Sequence, residues 1–97
     1  MKATREKMME ILKTKYKFSH VRTSEEFFTD KDNNKGIWIG VDKENEERFY
    51  GKRIFDYWTN DHKNYDIGVL IKFATQIEKL GWYCEWYDCG TMIICEI

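Results

Sequence analysis

Three groups of residues in this 97-residue chain have side chains suited to chemistry, and each is weighed by its spacing. Asp30, Asp32 and Asn34 occupy the first three ligand positions of a calcium loop. Such a loop needs Gly at its sixth position and a bidentate Glu at its twelfth, and here those are Lys35 and Val41. A polar turn accounts for them better. Cys84, Cys89 and Cys95 are the three cysteines, with no C-x-x-C pair and so no zinc spacing. Asp56, Asp61, His62 and Asp66 are the one acid-plus-histidine group, the type that holds a divalent metal for hydrolysis. They are strung along a loop at irregular spacing, and solvated loop residues explain them. Glycine-rich phosphate loops are absent from the sequence, and no Ser–His–Asp arrangement has support beyond residue type. The sequence therefore points to no catalytic residue, no metal site, no cofactor and a protein that is not an enzyme.

What stands out is aromatic content. Six Phe, six Tyr and four Trp are many rings for one small core, so some are expected at the surface. Rings on an open sheet face stack unpaired bases when a basic groove follows the phosphates. They also enrich protein interfaces. The charge pattern separates these readings. Residues 1–22 hold seven basic and two acidic side chains, a net of +5, and residues 23–97 hold nine basic and fifteen acidic, a net of −6. The basic end is either a docking face or is drawn to the acidic remainder of the same chain. Near the expected aromatic face the charges are acidic (Glu85, Asp88, Glu96), which suits a protein partner of basic character.

The elements that must position these residues follow from periodicity. Thr4 caps a helix over residues 4–16 whose Met8, Ile11, Leu12 and Tyr16 form one apolar stripe. Residues 18–29 read mostly as extended chain, with Ser24-Glu25-Glu26 as an alternative helical turn, and residues 30–36 as a loop. Ile37, Ile39 and Val41 alternate with Trp38, Gly40 and Asp42 in a strand. Residues 43–47 form a turn, and 48–58 a further strand bulged at Gly51. A second helix is expected from Asp66 to Leu80, stopped by Gly81. A hairpin closes the chain, residues 82–87 against 92–97, in a register that pairs Tyr87 with Met92 and Cys84 with Cys95. That register puts Trp82, Cys84, Trp86, Ile93, Cys95 and Ile97 on the core face. It leaves Tyr83, Glu85, Tyr87 and Met92 outside, with Trp38, and allows a Cys84–Cys95 disulfide on oxidation. The expected fold is one α+β domain over residues 1–97: a two-layer sandwich in the order α-β-β-β-α-β-β, two helices on one face of a mainly antiparallel sheet.

An odd cysteine count, a charged N-terminus and no apolar run of about 20 residues point to a reducing cytoplasm and to no membrane span. The absence of Pro, the two Ala and the twelve Lys against four Arg resemble the output of an AT-rich gene, as in a low-GC bacterium or its phage. The stretch Phe55-Asp56-Tyr57-Trp58, then a loop, a helix and the run from Gly81 through Trp82, Trp86 and Tyr87 to Thr91, resembles a layout of small phage proteins. It covers the C-terminal half and assigns no activity and no residue role. The expectation is a non-enzymatic protein-binding module, an anti-CRISPR-like phage or mobile-element inhibitor. It would cover a host protein such as a nucleic-acid-processing enzyme through Trp38, Tyr83, Glu85, Tyr87 and Met92, with a homodimer also open. The alternative is a nucleic-acid-binding protein using Arg5, Lys13, Lys15 and Lys17 with exposed rings.

Overall fold

The computed structural model describes residues 2–26, 36–41, 48–49 and 51–97. The Asp30, Asp32, Asn34 loop and the 43–47 turn lie outside these. Helix α1 is Arg5–Thr14, opened by Thr4, whose Oγ1 accepts the Lys7 N–H at 3.2 Å. It buries Met8 and Leu12. It ends where Lys17 turns to φ 66 and the Phe18 N–H reaches the Leu12 carbonyl at 3.1 Å. Strand β1 (Val21–Thr23) runs into a single 3-10 turn, Ser24–Glu26, so the helical alternative holds at those three residues. Strand β2 is Ile37–Gly40, followed by the short pairs β3 (Arg48–Phe49) with β4 (Lys52–Arg53) and β5 (Tyr65–Asp66) with β6 (Val69–Leu70). Helix α2 is Ile71–Glu78, and β7 (Trp82–Asp88) and β8 (Thr91–Glu96) end the chain.

The main sheet is antiparallel throughout in the order β1-β2-β8-β7. Both helices lie on one face, giving the expected two-layer α+β sandwich. Met8 and Leu12 of α1 and Phe73 and Ile77 of α2 are buried in one cluster with Ile37, Ile39, Trp82, Met92 and Ile94 of the sheet. Phe73 is the hub of the rings, edge-on to Tyr16, Phe18 and Phe55 at centroid distances of 4.8, 6.2 and 5.6 Å.

Two elements differ from expectation. Residues 48–58 are not one bulged strand: the chain reverses at Gly51 (φ 78), and past β4 Ile54 and Phe55 drop into the core, where Phe55 bridges to Val69. The second helix begins at Ile71, because residues 65–70 are used in the β5–β6 hairpin. The Ile71 N–H is taken by the Asn64 carbonyl at 2.9 Å. Its far end is as expected, with Gly81 at φ 89.

The larger correction is the register of β7 and β8. Counting back from the turn holds at Asp88↔Thr91, and a bulge between Trp86 and Asp88 then removes one residue from the ladder. From there the pairs are Trp86↔Met92, Cys84↔Ile94 and Tyr83↔Cys95. The slip exchanges the faces of β8. Met92 is fully buried, so it is not on the outer face, whereas Ile93 and Cys95 are. The exchange has a packing reason. It seats Met92 and Ile94 where the other register would seat Ile93 and Cys95, so a long Met fills space that a small Cys would leave. It also leaves Glu96 2.6 Å from Lys2. Cys84 and Cys95 now point to opposite faces of the sheet and cannot bridge across the strands. Burial pushes both thiols up, away from the reactive thiolate. Air-oxidised monomer should therefore still titrate three thiols after denaturation, and its intact mass should show no loss of two hydrogens.

Candidate interaction surface

The groups with chemical potential are mostly spent on structure. The Asp61 carboxylate closes its own loop. It accepts the Lys63 and Asn64 N–H groups at 3.2 and 3.1 Å and the Asn64 amide at 2.9 Å, and the Asn64 bonds hold it below the usual carboxylate range. Among the described residues no three His, Cys, Asp or Glu side chains are grouped to hold a metal ion. Cys89 is exposed in the β7–β8 turn.

The basic end is partly neutralised within the chain. Arg5 makes a two-bond pair with Glu25, at 2.7 and 2.8 Å, which raises the guanidinium pKa and lowers that of the carboxyl. Lys2 pairs with Glu96 and Lys7 with Glu10. Lys15 donates to Gln76 and lies 5.4 Å from the Tyr16 ring centre. Tyr16 also donates to Gln76, so the open depression of about 360 Å³ between α1 and α2 has a polar bridge across it. Lys13 and Lys17 are exposed.

On the sheet face away from the helices, Arg22, Trp38, Ile93 and Glu85 form one row across four strands. Tyr83 and Cys95 are paired beside it, with the Cys95 thiol 3.9 Å from the Glu85 carboxylate. The Trp38 ring lies against Gly40, where a Cβ would come within 2.9 Å of it. Four of the expected contact residues are therefore outward: Trp38 half-buried, Glu85 exposed, Tyr83 39% and Tyr87 62% exposed, Tyr87 at the bulge.

A second surface was not anticipated as such, and it is more apolar. Trp86 is on the helix side of β7, edge-on to Phe55 at 5.9 Å and perpendicular to Tyr57 at 5.0 Å. Tyr57 in turn meets Trp58 at 4.8 Å and 73°. The series from Phe73 through Phe55, Trp86 and Tyr57 to Trp58 leads from the core to solvent, where Tyr57 is 43% and Trp58 77% exposed. Against it sits the β5–β6 turn. The Trp86 indole N–H donates to the Ile67 carbonyl at 2.6 Å, and the Asp56 N–H to the Gly68 carbonyl at 2.8 Å.

That turn carries an unexpected residue. Ile67 and Gly68 both have positive φ, 49 and 72, as in the tight hairpin turns that favour Asn-Gly. A β-branched side chain there is a true outlier, costing about 1–2 kcal/mol. Ile67 recovers little of this by burial, since it is 78% exposed. An Ile-Gly pair between two short β segments and an exposed Tyr-Trp before a polar loop are the sequence signals of this surface.

Ile67→Asn should raise stability by about 1 kcal/mol, which for a domain this size is roughly 4–8 °C in Tm; thermal unfolding by circular dichroism measures it.

Among the described residues no helix is long and apolar enough to cross a membrane. Comparison with protein-family models, curated proteins and solved structures gave no match.

Proposed function

We propose that this protein is a non-enzymatic binding module that docks on another protein through the tip formed by Tyr57, Trp58, Ile67 and the edge of Trp86. The observation that carries this is Ile67. A residue that costs about 1–2 kcal/mol in left-handed backbone and stays in water has no folding reason to be Ile. Its exposed apolar side chain, in the turn whose carbonyl the Trp86 indole holds, makes sense as contact area for a partner. The support fits general interface physics: Trp and Tyr supply large contact area with few rotors to freeze, and interface energy concentrates in such residues. The outer sheet face with Trp38, Tyr83, Glu85 and Tyr87 is a second contact area for the same reading. In its concrete form the module is an inhibitor of the phage or mobile-element kind, covering a working surface of a nucleic-acid-processing enzyme.

The nucleic-acid alternative has weaker support. Of Arg5, Lys13, Lys15 and Lys17, Arg5 already has its charge paired by Glu25, whereas a phosphate-tracking face needs its charges free.

The test is affinity capture from bacterial lysate with and without nuclease, comparing wild type, Trp58→Ala and Tyr83→Ala/Tyr87→Ala. A discrete partner should survive nuclease and be lost with Trp58→Ala by tenfold or more, while Tm stays within about 2 °C, as for a surface site. Full capture by Trp58→Ala with loss in the tyrosine pair would move the site to the outer sheet face. Capture abolished by nuclease would favour the basic helix instead.

A further inference from the structure

We propose that the depression between α1 and α2 is a second binding site, separate from the tip, for a small ligand that joins an apolar chain to one carboxylate. The depression has about 360 Å³ of space and is lined by Ile11, Lys15, Tyr16, Gln76, Lys79 and Leu80. That volume is at the small end of the range for sites that take small molecules. Ile11 and Leu80 are half-buried, so each keeps apolar surface open there. An alkyl chain laid on them takes that surface out of water.

The polar groups select the other end of the ligand. Gln76 Oε1 accepts from the Lys15 ammonium at 3.1 Å and from the Tyr16 hydroxyl. The carboxamide oxygen is thereby used, and its NH2 is left for another acceptor. What Lys15, Gln76 and Lys79 still offer a ligand is donors alone. Gln76 is neutral, so its bond leaves the Lys15 charge uncompensated, and Lys79 is exposed with no ion pair among the described residues. The carboxylates of the neighbouring elements are engaged elsewhere. Glu10, next to Ile11, pairs with Lys7 at 3.6 Å, and Glu96, opposite Trp82, pairs with Lys2 at 2.6 Å. Glu6 acts on Arg5, and Glu78, next to Lys79, is close enough to β7 to act on the Cys84 thiol. Among the described residues no acidic side chain lines the depression, and the other charges on the two helices, Lys13 and Lys72, are positive as well. Cations beside an apolar floor select an anion with an apolar body. A carboxylate suits so few donors better than a phosphate, which brings more charge and more oxygens to take out of water.

The full-length ¹⁵N-labelled protein tests this by titration with octanoate, with octanol, which keeps the tail and loses the charge, and with acetate, which keeps the charge and loses the tail. Octanoate should shift the Gln76 side-chain NH2 signals and the backbone amides of Ile11 and Leu80, and leave the Trp58 indole N–H in place. It should bind about fivefold or more tightly than octanol, as two exposed charge pairs allow, and acetate should give no saturable shift. In Lys15→Met/Lys79→Met, which keeps the apolar stems and removes both charges, octanoate should fall to the affinity of octanol. Lys79→Met alone leaves the Lys15–Gln76 bond intact and should give part of that loss with an unchanged melting curve. Equal binding of octanoate and octanol by wild type would overturn the carboxylate assignment, and saturation by acetate the need for an apolar tail. Shifts at Trp58 in place of Gln76, no shift at millimolar octanoate, or discrimination that survives in the double Met variant would overturn the site itself. None of these outcomes bears on the tip, which stands or falls on capture by Trp58→Ala.

Discussion

The bulge at Tyr87 is the constraint on which the rest of the molecule turns. The β7–β8 ladder starts in one register at Asp88↔Thr91 and continues in another from Trp86↔Met92. This one-residue step decides which side chains of β8, an inner strand of the sheet, enter the core. It puts Met92 opposite Ile39 and Ile94 opposite Ile37 on β2, so three strands bring large apolar side chains to the same layer. A lost ladder hydrogen bond costs about 0.5–1.5 kcal/mol, while burying each large apolar side chain contributes about 1.5–3 kcal/mol. Packing therefore outweighs an unbroken ladder. The bulge also sits next to Trp86, and Trp86 is the residue that ties the core to the exposed tip through Phe55, Tyr57 and the Ile67 carbonyl.

The charge asymmetry along the chain has a comparable internal use. The N-terminal segment is strapped to the far end of the fold: the Ala3 N–H donates to the Leu80 carbonyl at 2.8 Å, and the Trp82 indole donates to the Ala3 carbonyl at 2.9 Å. Lys2 passes over Gly81, where a Cβ would come within 2.7 Å of its side chain, and ends on Glu96. Arg5 reaches from α1 to Glu25, just beyond β1. Exposed ion pairs contribute little each, about 0–1 kcal/mol. Their value here is directional, since they select the arrangement in which α1 covers the sheet. Of the two readings of the basic N-terminus, internal attraction explains Lys2 and Arg5. Lys13 and Lys17 remain on the surface.

What was legible in the sequence follows from how local each signal is. The Thr4 cap, the α1 stripe, the Gly81 stop and the inward Ile37 and Ile39 all depend on residues within a turn or two of one another, and they stand where the periodicity puts them. The bulge was not legible, because Tyr83, Glu85 and Tyr87 alternate equally well with either face of β8. The choice was made by volume, between Met92 with Ile94 and Ile93 with Cys95, and volume is a property of the assembled core. The β5–β6 hairpin was hidden for a different reason. Leu70, Phe73 and Ile77 share helical spacing, and Leu70 does lie in the same core, but as the N-cap of α2 at the end of a two-residue strand. Of the expected contact residues, Trp38, Tyr83, Glu85 and Tyr87 face outward because outwardness on β2 and β7 follows from alternation alone. Met92 did not, since its side depended on the bulge.

The tip sets folding against exposure. Its apolar parts are a local loss for a free domain: Ile67 in left-handed backbone, Tyr57 and Trp58 in water. A domain of this size has roughly 5–15 kcal/mol of net stability, so about 1–2 kcal/mol at Ile67 is a material fraction. The loss falls on a turn that is held at two points. The Ile67 carbonyl is held by the Trp86 indole, Gly68 by Asp56, and Trp86 itself is wedged between Phe55 and Tyr57. A rigid mount means that little conformational entropy remains to be lost when a partner arrives, which is the condition under which a small exposed surface can bind tightly. Strain at Ile67 and rigidity at Trp86 are thus two sides of one arrangement: the core that tolerates the unfavourable turn is also what keeps its apolar side chain in place for contact.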